Sequence, residues 1–387
     1  MIESIIDNDL YKFTMQYAVL KKFPKAKVKY EFINRGKTRF PEGFAEELRK
    51  QVKLMANLNL SDAESTWMEN RCYYLDPSYF DFLRGYRYNP DEVTIEQNGG
   101  DVSVHIQGYW YRTILWEVPL MAIISQLYFE MTDQKGCEEA ETIKIAQEKA
   151  LKFEKLGIKL ADFGTRRRYS FKNHERIVKT MSQAAPQTFT GSSNLYFAMQ
   201  NHLTPIGTHA HEWFMFHAAL FGFKMANFLS LQNWVSVFRG NLGIALSDTY
   251  TTQKFFDVFD TMFAKLFDGV RHDSGDPIEF ADRTIEHYKN LRIDPKSKMI
   301  VFSDGLDYEA VEKIQNHCKG KINTFYGIGT NLTNDVGVKP LNIVIKITEA
   351  MNEGCEWTHT VKLSDVQGKY TGDQKMIVLC KQVLDIT

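Results

Sequence analysis

From Ile244 onward, short apolar runs return every 20 to 30 residues, and each ends in a polar, glycine-bearing loop. LGIALSDTYTT (242–252), LFDGVRHDSGD (266–276), KMIVFSDGLD (298–307) and INTFYGIGTN (322–331) carry the pattern. Upstream, IKLADFGTRRR (158–168), TFTGSSN (188–194) and TPIGTHAHE (204–212) have the same texture, and LNIVIKI (341–347) extends it downstream. Several runs are followed by helical spacing, as in FADRTIEHYKNL and YEAVEKIQNH. Strands covered by helices on both faces read as continuous apolar runs. Repeated βα units closing on themselves therefore predict an α/β fold with a TIM-like barrel, its chemistry in the loops after the strands.

The first 130 residues differ from this pattern. KVKYEFINR (27–35) alternates, with Val28, Tyr30 and Phe32 on one face, and VTIEQNGGDVSVHI (93–106) predicts a hairpin turning at Asn98, Gly99 and Gly100. ETIKIAQEKALKFEKL (141–156) predicts an amphipathic helix, and the tail, WTHTVKLSDVQGKYTGD followed by MIVLC, returns to β texture. The division expected is a second, mixed α/β domain from residues 1–130 plus 350–387, and a barrel domain from 131–349. The chain is expected to cross between the two bodies more than once.

A chain of 387 residues that is 44% apolar can bury a large core. Its formal charge of −1 favours neither nucleic acid nor an anionic membrane. Five scattered cysteines without a CxxC pair read as reduced thiols, pointing to a cytoplasmic protein without a zinc site. MIESIIDNDLYKF lacks the basic region of a secretory signal, and VPLMAIIS (118–125) is too short to span a bilayer.

The loop residues have a chemical direction. Arg166, Arg167, Arg168 and Arg271 are cations at predicted strand ends, and Asp248, Asp273 and Asp304 are acids in the same slot on other strands. Gly327-Ile-Gly329-Thr-Asn331 is a tight loop able to present backbone N–H groups. Cations with a glycine loop describe a phosphate cradle, and separated aspartates suit Mg²⁺ bridging phosphates or ribose hydroxyls. Neither GxxxxGK[ST] nor an early GxGxxG is present. Each feature alone also has an ordinary reading as solvated charge, a turn or a cap; their recurrence in one slot is what favours a site. His209 and His211 lie where a turn becomes a helix, with Thr208 as a candidate N-cap. They suit a metal, a phosphoryl group or a cap. A metal-dependent amidohydrolase needs further histidine ligands on later strands. Only His272 lies at such an end, since His217, His287 and His317 fall in helices.

DNDLYKFTMQYAV (7–19), EFINRG (31–36), DFGTRRR (162–168), TGSSN (190–194), PIGTHAHEWF (205–214), LGIALSDTYT (242–251), GVRHDSGDP (269–277), SDGLD (303–307), YGIGTNL (326–332) and VKLSDVQGKYTGD (361–373) together resemble the bacterial nicotinate phosphoribosyltransferase family, in order and from end to end. The resemblance implies formation of nicotinate mononucleotide and pyrophosphate from nicotinate and phosphoribosyl pyrophosphate. It also implies coupling to ATP hydrolysis as in a ligase, Mg²⁺, an irregular (β/α) TIM-like barrel joined to an α/β domain, and a homodimer with shared active sites. His211 then matches the residue that ATP phosphorylates. Phe163 and Tyr11 match a sandwich around the pyridine ring, with Tyr11 supplied by the partner subunit. Arg166, Gly329 and Thr330 match the 5′-phosphate side, and Arg35 reaches phosphates across the interface. Asp304, with Gly305 beside it, matches a ribose ligand. Asp248 and Asp273 match acids around Mg²⁺ and pyrophosphate, Arg271 matches a residue of the reacting centre, and Lys362 and Lys369 match ATP or pyrophosphate contacts. Ser192, Ser193 and Asn194 are neutral donors where nicotinamide-using relatives carry an aspartate, and together with Arg271 they favour the acid over the amide. A nicotinamide phosphoribosyltransferase is the alternative reading.

Overall fold

The structure is a computed structural model and describes residues 1–366 and 369–386. It divides into two compact units. One consists of Met1–Tyr17, Lys29–Gly207 and Ile328–Lys346, and the other of Ala18–Val28, Thr208–Gly327 and the chain from Ile347 on. The chain thus passes between the two units repeatedly. The partition itself differs from the expected one: residues 131–207 group with the N-terminal unit, and the tail groups with the later βα units.

In the first unit, β1 (Lys27–Asn34) alternates as its sequence predicts, with Val28 and Tyr30 buried. β2 (Val93–Asn98) and β3 (Asp101–Tyr109) form the expected antiparallel hairpin, pairing Val93 with Ile106 and Asn98 with Asp101. Gly99 takes the turn at a φ of 57°, a conformation open to glycine. The helix Glu139–Lys155 buries Thr142, Ala146, Ala150 and Phe153, the stripe expected of its spacing. β4 (Leu160–Asp162), β5 (Phe189–Ser192) and β6 (Thr204–Pro205) are parallel, in the order β6-β5-β4.

The apolar run 118–125 proves to be the middle of a longer helical stretch. Trp110–Met131 is long and apolar enough to cross a membrane by length and composition, and 78% of its most apolar window is buried inside the protein. It is a core helix. The Glu117 carboxylate on it is matched by Lys12 at 2.5 Å and Arg166 at 3.4 Å.

In the second unit, β7 (Ile244–Leu246), β8 (Gly269–His272), β9 (Met299–Phe302) and β10 (Asn323–Ile328, whose last residue belongs to the first unit) are parallel, in the order β10-β9-β8-β7. Their register pairs Leu246 with Arg271 and His272 with Phe302, so the residues just past each strand emerge side by side. The helix Pro277–Asn290 covers them after β8, and Tyr308–Cys318 after β9.

Two expectations change. LNIVIKI belongs to β11 (Ile343–Met351), which pairs antiparallel with β12 (Thr358–His359) instead of adding a βα unit. Its burial alternates along the strand, as in a sheet covered on one face. MIVLC is helical, within Gln374–Val383, because the Asp373 side chain accepts from the Met376 N–H and caps a helix there. The fold is therefore mixed α/β, with parallel βα strands and a separate antiparallel sheet in the order β12-β11-β1-β3-β2.

Candidate functional site

The second unit collects its charged residues at the C-terminal ends of β7, β8 and β9. His211 is the first residue of the helix His211–Phe221, where unpaired N–H groups and the helix dipole favour negative charge. The N-cap is Ala210, without a side-chain cap bond, and the Thr208 hydroxyl donates instead to the Ile244 carbonyl. His211 Nε2 lies 2.8 Å from Asp248 Oδ1 and 3.6 Å from Asp273 Oδ2. Ser274 donates to Asp248 Oδ2 at 2.7 Å, and Lys362 Nζ stands 3.3 Å from the same oxygen. Asp273 Oδ1 accepts from Arg271 Nη2 at 2.7 Å, and Ser303 Oγ accepts from Arg271 Nε at 2.8 Å.

Strand register explains the convergence. Asp248, Asp273 and Ser303 each follow a neighbouring strand by one or two residues, and the Ser303 N–H bonds the His272 carbonyl at 3.1 Å. Lys362 comes from the tail, which the Leu363 N–H fastens to the Thr249 carbonyl at 2.9 Å.

The electrostatics follow from burial and pairing. Burial, with Lys362 nearby, lowers the His211 imidazole to about 4, so it is neutral near pH 7. Burial opposes ionisation of Asp248, but His211 and Lys362 outweigh it and hold the carboxylate well below its usual range. Asp273 is half-buried; desolvation opposes its ionisation, but Arg271 and His211 draw it down to about 2. A carboxylate only accepts, so the imidazole proton sits on Nε2 toward Asp248 and the lone pair on Nδ1.

His209 is not the twin of His211. Its Nε2 accepts the Leu246 N–H at 3.2 Å, and its ring packs edge-on against Phe214 and Trp234. Burial lowers it to about 3, making it a neutral core residue. Asp304 and Gly305 are exposed just beyond β9, with Gly305 at a φ of 58°.

The first unit holds the other candidates. Asp162 ends β4, and its Oδ1 accepts the Gly164 N–H at 2.8 Å; its Oδ2 accepts Ser192 Oγ–H at 2.7 Å and meets His174 Nε2 at 2.7 Å. One carboxylate thereby ties the turn carrying Phe163 to the loop carrying Ser193. The Phe163 N–H donates to the Ile328 carbonyl at 2.8 Å, which brings the Gly329-Thr330 turn alongside. The two backbones run close there: a Cβ on Gly329 would touch the Phe163 carbonyl oxygen at 3.5 Å. Tyr11 is the second residue of the helix Leu10–Lys22, whose first residue is seated on the GSSN loop through Leu10 N–H to Ser193 O at 2.7 Å. Arg35 is exposed in the turn after β1.

The arginine triplet separates into different roles. Arg168 is wholly buried and forks onto Asp7 at 2.7 and 2.8 Å, so it is structural and not a cation of the loop cluster. Arg166 reaches Glu117 and stays part-exposed. Sequence reasoning missed Ser274 and Ser303, which lie inside quoted motifs, and Asp9, which lies two residues before Tyr11. Asp9 is buried, with Ser193 Oγ 2.9 Å from its Oδ1. Gln367 and Gly368 of the VKLSDVQGKYTGD stretch lie outside the described residues.

Parallel βα strands whose C-terminal ends carry an imidazole, two ionised carboxylates and Arg271, with Lys362 brought beside them by the tail, are the architecture of an α/β enzyme. Residues 158–387 match the nicotinate phosphoribosyltransferase (NAPRTase) family, and residues 6–125 match that family's N-terminal domain. The chain belongs to this family. It is 56% identical to the nicotinate phosphoribosyltransferase of Chromohalobacter salexigens, over 100% of this chain and 99% of that one. Identity to the enzyme of Desulforapulum autotrophicum is 51%, again over 100% and 99% of the two chains. Among solved structures, nicotinate phosphoribosyltransferase from Porphyromonas gingivalis superposes with a TM-score of 0.97 at 41% identity, covering 100% of both chains.

Proposed function

We propose that this protein joins nicotinate to the phosphoribosyl group of phosphoribosyl pyrophosphate, in NAD biosynthesis, with ATP hydrolysis coupled through phosphorylated His211. The observation that carries the coupling is a neutral imidazole at a helix N-terminus whose Nε2 proton is committed to Asp248. The Nδ1 lone pair attacks the γ-phosphorus of ATP, the bond to the bridging oxygen breaks, and ADP leaves with its electron pair. Lys362 and the helix N-terminus offset the charge gained.

For glycosyl transfer the pyridine nitrogen attacks the anomeric carbon as pyrophosphate departs. It needs no general base, so the protein's work is positioning and charge stabilisation. Phe163 and Tyr11 hold the ring, Ser193 faces its carboxylate, Arg166 with Gly329 and Thr330 takes the 5′-phosphate, and Asp304 with Gly305 takes the ribose. Arg271, Lys362 and Arg35 serve the pyrophosphate, with Lys369 a further contact there or at ATP. Arg35 and Tyr11 are contributed across a homodimer interface in the cytoplasm. The parallel strands are read as an irregular TIM-like barrel.

Mg²⁺ fits as a passenger of pyrophosphate. His211, Asp248 and Asp273 present ligand atoms within 4.8 Å of one another. Both carboxylates are ionised, but Lys362 and Arg271 already balance them, so they would hold a cation only together with phosphate oxygens. Such a metal would neutralise phosphate charge. The same balance disfavours an amidohydrolase, as does the commitment of His209 to Leu246 and its aromatic neighbours.

The test is His211→Asn, with products assayed from phosphoribosyl pyrophosphate and each pyridine, with and without ATP. ATP-derived phosphate on the protein and nicotinate-linked ADP release should vanish, while slow ATP-independent transfer persists. Undiminished coupling in this variant, or phosphate found on His209, overturns the assignment.

A further inference from the structure

We propose that Asp9 governs the choice between a carboxylate and an amide on the pyridine ring, acting through Ser193. The inference rests on the reading that Ser193 faces that ring substituent. Ser193 Oγ and Asp9 Oδ1 are 2.9 Å apart, and both residues are buried. Backbone contacts hold them there: Leu10 N–H to Ser193 O at 2.7 Å, and a bridge between Asp9 and Asn194. Asn194 in turn donates to Asp7 Oδ1 at 2.8 Å, and Asp7 is clamped by Arg168.

A hydroxyl has one hydrogen to give. When Asp9 is ionised it takes that hydrogen, and Ser193 shows only lone pairs to the substrate. Lone pairs suit the NH₂ of an amide and repel a carboxylate. When Asp9 carries a proton it donates to Ser193 Oγ, and the serine hydrogen is released toward a substrate carboxylate. Protonation also removes a charge that would repel the nicotinate anion.

The surroundings shift Asp9 toward its protonated form. Burial raises Asp9 above its ordinary value, and the neighbouring Asp162 charge adds to this. Hydrogen bonds from Thr165 and Ser193 and the Arg166 charge act in the opposite direction without cancelling it. Asp9 is a positioning residue: it sets which way the Ser193 hydroxyl points.

The experiment measures the ratio of kcat/KM for nicotinate to that for nicotinamide from about pH 5 to about pH 9, at fixed ATP. Groups that affect both substrates alike cancel in this ratio. In wild type it should fall by about tenfold per pH unit once Asp9 ionises. Asp9→Asn keeps a donor toward Ser193 and an acceptor toward Thr165, so its ratio should stay flat within about twofold. Ser193→Ala should lose most of the slope, keeping only the direct repulsion by the Asp9 charge, and it provides the reading if Asp9→Asn does not fold. An Asp9→Asn enzyme that keeps the wild-type slope, alongside a Ser193→Ala enzyme that loses most of it, overturns the role of Asp9 alone. A Ser193→Ala enzyme with wild-type ratio and slope overturns both that role and the placement of Ser193.

Discussion

Single side chains here take their protonation from where the fold puts them. His211 is held near 4, so its neutral fraction stays high as the pH falls to about 5 and drops below that. ATP-dependent labelling should be flat from neutral pH down to about 5 and fail as the pH nears 4. Lys362 is one cause of the depression, so Lys362→Met should move this acid limb to higher pH; a limb that stays put would show that Lys362 does not act on His211. Buried Arg168 makes a second case. Asp7→Asn leaves a guanidinium buried beside a neutral amide and should lower unfolding free energy by about 3 kcal/mol in urea titrations. The sequence showed three arginines in a row but not which one turns inward. Ser193 was legible as a neutral donor, whereas its tie to Asp9 spans 184 positions. Ser193→Asp would therefore set two carboxylates against each other, which makes Ser193→Ala the cleaner probe.

Strands and turns carry these residues, and glycines mark where they are packed tightest. A Cβ on Gly269 would collide with the Met299 carbonyl, backbone that cannot yield without breaking the β8–β9 pairing. Gly269→Ala should cost about 3 kcal/mol of stability and, by shifting Arg271 and Asp273, activity as well. At Gly305 an added methyl would meet nothing within 4 Å, and only the φ of 58° opposes substitution. Gly305→Ala should cost about 1 kcal/mol. Thermal melts of the two variants compare them directly, and equal losses would contradict the packing argument. Element type was legible where periodicity was long, as in the 93–106 hairpin and the 141–156 helix. It failed for MIVLC, where five apolar residues fit strand and helix equally and the Asp373 cap decided.

For the whole molecule, the proposed dimer makes a quantitative prediction. Tyr11→Ala and Arg271→Ala dimers should each be nearly inactive. Refolded together they should regain about a quarter of wild-type activity, because half the dimers are hybrids and each hybrid restores one of two sites. Confirmed hybrids without recovery would put both residues in the same subunit's site. The domain plan was legible only in part. Composition marks a change of texture near residue 130, yet residues 131–207 pack with the N-terminal unit and the tail with the later strands. Packing partners distant in sequence leave no mark on local composition.

By itself the sequence determined the βα rhythm, the family, and the residue types at each strand end, because apolar runs and loop chemistry are local properties. Only the tertiary structure decided which of those residues meet. It joined His211 to Asp248 across 37 positions and brought Lys362 back from the tail. It turned His209 and Arg168 into packing residues and left Asp9 beside Ser193. Neighbours assigned by strand register and burial have no local sequence signature, and it is they that determine proton positions and charge balance.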